Sequence, residues 1–251
     1  VTEPIHISAP VYGGSGEYTL ICTGVLNGLS YRTVRDSVVK AALEEPRVVI
    51  VDVNELRVPE ASAWSVFTSA RWHVSTWPDV PILLVCASDE VRAVIGRRGI
   101  TRWVPVFPTM QEAMQSAGSS RPRQRRRARA DLPPHVSSII DAQRLVGGWL
   151  SGWSCSDMIP VAAVIATALV ENVLRHTESS PILRVEYDGR LVTVAVEDTS
   201  PALAQRKEDA AHSTGRASGL AIVTSLTRVW GNLPTSAGKT VWAVVGPENV
   251  L

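Results

Sequence analysis

No apolar run in this 251-residue chain reaches the ~18 residues that a membrane-spanning helix needs. The first residues, Val1 to Pro10, have neither the charged start nor the apolar stretch of a secretory leader. Cysteine is scarce. Cys22, Cys86 and Cys155 lie far apart with no CxxC pair, which excludes a disulfide framework and a cysteine-based zinc site and fits buried thiols in a reducing compartment. An excess of one charge is lacking as well, and a net charge of +1 sets up no field that would select nucleic acid by itself. These absences predict a soluble cytoplasmic protein with no membrane association and no direct nucleic-acid partner. The chain opens on Val1, not Met, which reads as a trimmed or processed start.

What is present suggests two domains, since 251 residues exceed what one small core usually absorbs. The seam falls at residues 116–134, SAGSSRPRQRRRARADLPP, where breakers and six arginines replace any apolar periodicity. The expected division is 1–115, an Arg/Pro-rich linker at 116–134, and 135–251. Two readings of the linker stay open: a solvated connector, or a docking strip for an acidic partner or nucleic acid.

Before the linker, strand-like runs at 18–23, 48–53, 82–86 and 103–107 alternate with helical patterns at 31–43, 61–72, 89–97 and 110–116, which predicts an α/β layer structure. After it come helical patterns at 136–151 and 156–176, strand runs at 182–187 and 191–197, a helix from Leu220 and a last strand at 240–245, the order of an α+β sandwich.

In the second half, VAAVIATALVENVLRH (161–176) is apolar almost throughout, yet at ~100° per residue Asn172 and His176 share a stripe with Val161, Ile165 and Ala168. An unpaired buried amide costs on the order of 1–3 kcal/mol, so Asn172 needs a partner, whether a neighbouring backbone group or a ligand. Asp198 closes the strand in VAVEDTSP, a common place for an acid. In TGRASGLAIV, Gly215 and Gly219 precede a helical run opening at Leu220, where free N–H groups meet phosphate or simply form a helix-start turn. AGKTVWAV is not a P-loop, because Leu233 stands where the first glycine is required.

Taken in this order, ENVLRH, VEDTSP, TGRASGLAIV and GKTVWAV resemble the GHKL (Bergerat) ATPase family, in its anti-sigma-factor serine-kinase branch, over 131–245. The resemblance implies a histidine-kinase-like ATPase α/β sandwich binding ATP and Mg²⁺. In it Asn172 holds the metal and, with His176 on the same helix face, helps bind the nucleotide. Asp198 accepts from the adenine amino group, backbone near Gly215, Gly219 and Leu220 cradles phosphate, and Thr240 lies near the nucleotide. The family's catalytic Glu, four residues before the Asn, is Ala168 here; Glu171 is a weak substitute, lying about 100° around the helix from Asn172. Ser200 stands where the family often has Gly.

In the first half, LICTGVL, YRTVRDSVVKAAL, VVIVDVNEL and GITRWVPVFPTMQEAM resemble a STAS domain over 18–115. The family's Asp-Ser-Ser-Gly pattern falls on Glu60, Ala61, Ser62 and Ala63, which puts Ser62 at the phosphorylatable position. Ser62 also suits an ordinary helix-capping role. Trp64 and Phe67 face the core or a partner.

Together the resemblances imply a bacterial regulator of sigma-factor activity by partner switching: an anti-sigma factor antagonist-like domain fused to an ATP-binding serine-kinase-like anti-sigma domain. The implied partners are a sigma factor or a STAS or anti-sigma protein. Fusion raises the effective concentration for engagement of the two halves, and the branch's dimers extend to an expectation of a homodimer. Ala168 leaves an alternative standing, a non-catalytic, nucleotide-gated interaction module with a degenerate kinase site.

Overall fold

A computed structural model describes residues 4–9, 16–119, 125–200, 219–235 and 238–250. The chain divides into two compact units, Val1–Pro122 and Arg123–Leu251.

In the first unit, strand β1 (His6–Ser8) precedes β2 (Glu17–Val25), α1 (Tyr31–Leu43), β3 (Val48–Asp52) and β4 (Leu56–Arg57). A 3-10 turn at Ala61–Trp64 leads into α2 (Ser65–His73), followed by β5 (Ile82–Val85), α3 (Asp89–Arg97), β6 (Val106–Phe107) and α4 (Met110–Ser119). The sheet order is β1-β2-β3-β5-β6, with β4 paired to β2. Strands β2, β3, β5 and β6 run parallel, and β1 lies antiparallel at the edge. The unbroken apolar runs VVIV and ILLV follow from this arrangement, because a parallel strand between two layers is buried on both faces. Val48, Ile50, Leu83 and Val85 pack with Ala113 and Ala117 of α4. Alternation turns Val49, Val51, Ile82 and Leu84 to the other face, and all four are buried. Helix α1 packs on α2 and against β2 and β3. Helix α3 starts where Ser88 accepts a hydrogen bond from Val91 N–H at 3.3 Å, with Asp89 and Glu90 in its first turn.

All three cysteines are buried thiols. Burial, reinforced by the charge of Asp52, pushes the Cys22 thiol up to about 12. A rise from 9.0 to about 12 cuts the thiolate fraction at pH 8 about a thousandfold. Native protein at pH 8 therefore leaves Cys22 unmodified by iodoacetamide, while denatured protein is alkylated at once. Peptide mapping by mass spectrometry checks this, and equal labelling in both states would contradict the placement.

The second unit opens with β7 (Arg126–Asp131), then α5 (Ser137–Gly152), α6 (Ile159–His176), β8 (Ile182–Tyr187), β9 (Val192–Asp198), α7 (Gly219–Leu226), β10 (Val229–Pro234) and β11 (Lys239–Val245). Its five strands are all antiparallel in the order β10-β11-β9-β8-β7. One sheet face, carrying Val192, Val194, Val196, Val241, Ala243 and Val245, shares a core with Ala142, Val146 and Leu150 of α5, Val161, Ile165 and Leu169 of α6, and Leu220 and Val223 of α7.

Two sequence expectations need correction. The stretch 116–134 is not wholly a solvated linker: 126–131 forms an edge strand on β8. Arg125 and Arg127, two apart and therefore on one face, reach the buried Glu186 carboxylate at 2.8 and 3.0 Å, so these arginines are structural counter-charges. The segment Ser156–His176 is also long and apolar enough to cross a membrane by length and composition. Its composition has another cause here, since α6 buries Val161, Ala162, Ile165, Ala166, Leu169, Val170 and Val173 against the sheet and α5.

Candidate functional site

In the second unit Asn172 and His176 lie in the last turns of α6, Asp198 at the end of β9, Gly219 at the start of α7 and Thr240 near the start of β11. Pro160 in the first turn starts α6, and Thr177 ends it by donating its hydroxyl to Val173 C=O at 2.9 Å. Asn172 is half-buried, and its amide has no hydrogen-bond partner among the described residues. The expectation that a neighbouring backbone group might satisfy it is thus not what the described residues provide. Ala168, one turn earlier, is buried beneath Gly219, the first residue of α7. A methyl group added at Gly219 would lie 3.4 Å from Ala168 C=O, so the helices meet with little room between them. Leu220 is a core side chain, and only its backbone could serve a ligand. Glu171 is held by Arg175 at 2.6 Å in a surface i,i+4 pair, pointing away from the Ala168–Asn172 stripe. His176 is exposed at the end of α6. Gly215 lies outside the described residues.

Asp198, the last residue of β9, is 1% exposed. Its Oδ1 accepts hydrogen bonds from Ser200 N–H at 2.7 Å and from Lys239 Nζ at 2.9 Å. Lys239 stands directly opposite on β11 and is itself 4% exposed. Oδ2 lies 2.9 Å from the same ammonium, yet no hydrogen bond of acceptable geometry reaches it. The contact at Oδ2 is therefore Coulombic, and an acceptor remains open on a buried carboxylate. This ion pair was not foreseen from the sequence. Its signal was available, because Lys239 shares a strand face with Val241, Ala243 and Val245, and a lysine in that column needs a buried counter-charge. Thr240 lies opposite Glu197 and so points to the other sheet face, away from Asp198.

The donor set fits part of what the resemblance implies. Among the described residues, Oδ2 of Asp198 accepts no hydrogen bond, as an amino donor such as that of adenine would require, and the Asn172 amide has no partner. Among the described residues no three His, Cys, Asp or Glu side chains come together to hold a metal. A magnesium ion at Asn172 would depend on phosphate and water oxygens for its remaining ligands, as this ion commonly does.

A shallow cavity of ≈620 Å³ opens elsewhere, lined by Arg126, Trp153, Tyr187, Asp188 and Arg190 at the β8–β9 turn. It lies at the opposite end of β9 from Asp198 and contains none of the predicted residues. Its one carboxylate, Asp188, is committed to the turn through the N–H groups of Arg190 and Leu191.

In the first unit, the loops after β3 and β5 are clamped together. Asp52 Oδ1 accepts from Asn54 N–H and Nδ2, and Asn54 Oδ1 accepts from Ala87 N–H at 2.7 Å. The clamp fixes the path into the turn that carries Ser62. Ser62 is exposed and makes no side-chain hydrogen bond among the described residues, and neither the turn nor α2 has a side-chain cap. The capping role open to Ser62 in the sequence is therefore not the one it takes. Trp64 and Phe67 are both buried, with ring centroids 6.0 Å apart, and Tyr31 Oη lies 3.3 Å from Ser65 Oγ, joining the starts of α1 and α2.

A largely parallel sheet with an exposed serine on the uncapped turn that leads into α2 defines an α/β domain. The STAS domain model matches residues 7–113, so the first unit carries a STAS domain. Similar solved structures include an anti-sigma factor antagonist from Mycobacterium paratuberculosis (12% identity, TM-score 0.40, 47% of this chain and 100% of that one). They also include the anti-sigma factor antagonist SpoIIAA in its unphosphorylated form (15%, 0.36, 45% and 96%) and the Bacillus cell fate determinant SpoIIAA in its phosphorylated form (14%, 0.34, 44% and 98%). No curated protein matches the chain. The family match ends at residue 113 and does not bear on the second unit.

Proposed function

We propose that this protein is a cytoplasmic partner-switching regulator of sigma-factor activity. Its STAS unit presents Ser62 to a kinase-type or anti-sigma partner, and its second unit is a GHKL-type ATP-binding domain of the anti-sigma kinase branch. The observation that carries the first part is the exposed, unbonded Ser62 hydroxyl at an uncapped helix start within a STAS domain. A phosphate there adds about −1.5 to −2 charges where free N–H groups favour it, and it repels a partner that binds the neutral surface. For the second unit, support comes from the unpartnered Asn172 amide and the open acceptor on Asp198, placed at the ends of α6 and β9. ATP supplies the phosphoryl group, with Mg²⁺ shielding its charge.

A second reading, nucleotide binding without transfer, is favoured by Ala168. No carboxylate stands on the Asn172 stripe to activate a hydroxyl, and Gly219 covers the position.

Incubation of the full chain with γ-labelled ATP and Mg²⁺, beside calorimetric titration with ATP, tests both readings. Binding that is lost in Asp198→Asn, with label that is lost in Ser62→Ala, is the result expected of a kinase acting on its own STAS serine. Binding without label selects the nucleotide-gated module or a separate protein substrate. If folded protein neither binds ATP nor changes its STAS association on adding it, the proposal for the second unit is wrong.

A further inference from the structure

We propose that Lys239 is a built-in occupant of the nucleobase position, so that an amino-bearing base such as adenine reaches Asp198 only by displacing the lysine ammonium. This rests on the ATP-binding reading given above and adds to it the residue that sets how tightly, and how selectively, the base is held.

The side chains of Asp198 and Lys239 are 0% and 5% exposed, so no solute touches the carboxylate while the lysine stays in place. The ammonium is 2.9 Å from both carboxylate oxygens, but it forms a well-directed hydrogen bond only to Oδ1, which Ser200 N–H also serves. Oδ2 faces the ammonium but accepts no hydrogen bond among the described residues. A structural ion pair gains from satisfying every lone pair it buries, and this one leaves the oxygen beside the lysine unsatisfied. An exocyclic amino group is a directed donor without charge and supplies what the ammonium does not. A base that offers a carbonyl there, as guanine does, would face a carboxylate oxygen and be rejected. Displacement is physically accessible, because lysine carries its ammonium on a flexible four-carbon stem.

The cost of expelling the ammonium enters the dissociation constant directly. Removing the competitor should therefore tighten nucleotide binding. The test is titration of ATP and GTP into the full chain carrying Lys239→Met, Lys239→Gln or Lys239→Met with Asp198→Ala, beside the unaltered protein, with circular dichroism reporting the fold. Lys239→Met is expected to bind ATP about tenfold or more tighter than the unaltered protein, with little gain for GTP, and the Asp198→Ala companion abolishes the gain. Lys239→Gln keeps a neutral donor near Asp198 and supports the fold should Lys239→Met not fold, and it shows the same gain at smaller size. Asp198-dependent ATP binding that is unchanged or weakened by both Lys239 variants overturns the inference and leaves the ATP-binding reading intact. Folded variants that bind no nucleotide at all, like the unaltered protein, overturn that reading and the inference with it.

Discussion

Asp198→Ala destabilises the second unit by about 3–5 kcal/mol, because it leaves the Lys239 ammonium buried without its counter-charge. A partly exposed pair would lose far less on truncation, since water would take the place of the missing partner. Here both side chains are sealed, so water cannot. Lys239→Met in the same protein recovers most of the loss, since two apolar groups in place of an ion pair avoid the desolvation cost of both charges. Hydrogen exchange of the β9 and β11 amides reads the effect within the second unit, independently of the STAS unit. A loss below about 1 kcal/mol in Asp198→Ala would mean that the lysine reaches solvent when its partner goes. It would also mean that the pair is not the closed contact described.

Gly238→Ala has the next largest expected effect, about 2–3 kcal/mol, through overlap with backbone and not through lost contacts. A β-carbon at Gly238 would stand 2.1 Å from Asp198 C=O and 2.5 Å from Thr199 Cα, neither of which can rotate away. The reciprocal bonds of the β10–β11 turn, Gly238 N–H to Thr235 Oγ1 at 2.8 Å and Thr235 N–H to Gly238 C=O at 2.9 Å, prevent the strand end from yielding. The added methyl therefore pries β11 from β9 where Lys239 meets Asp198. Combined with Asp198→Ala, the two losses should sum to less than their separate values, because both open the same strand ends. Full additivity in denaturant melts of the double variant would separate the two features.

How far the sequence carried depends on where an element sits in its sheet. Strands with a neighbour on each side, such as β3, β5, β8 and β9, announce themselves as apolar runs, and their expected positions lie within a residue or two of the observed ones. Helices α1 and α3 match their expected ends outright. The strands without such a signal are β1, β7 and β10, each at an edge, and β4, which pairs only with β2. Edge strands carry charge, glycine or proline to discourage further pairing. β7 is RRARAD, and β10 holds Gly231, Asn232 and Pro234, so composition that reads as loop is what an edge requires. An aromatic beside valines looks extended, so the sequence pattern includes Trp103 in the strand that begins only at Val106; it sits after a 3-10 turn and is 48% exposed, edge-on to Trp72.

Within the candidate site, residue types and order were legible, whereas contacts across strands were not. The helical angle of about 100° between Glu171 and Asn172 is legible in the sequence, whereas the pairing of Glu171 with Arg175 is read only from the structure. Thr240 could be assigned to a strand but not to a face until the register with β9 was known, because a one-residue slip exchanges the faces. The Lys239–Asp198 pair joins residues 41 apart and depends on that same register.

The arginine-bearing strand β7 determines how the two units can be taken apart. A fragment begun after residue 134, where composition suggests the second domain starts, would lack β7 and bare the long side of β8, ILRVEY. It would also leave Glu186, 7% exposed, without Arg125 and Arg127. Such a fragment combines an open, apolar strand edge with an uncompensated buried carboxylate, a combination that drives chains to stack into insoluble aggregates. A cut placed ahead of residue 123 keeps that guard strand with the half it protects, and dissection of the protein into separately studied pieces should begin there.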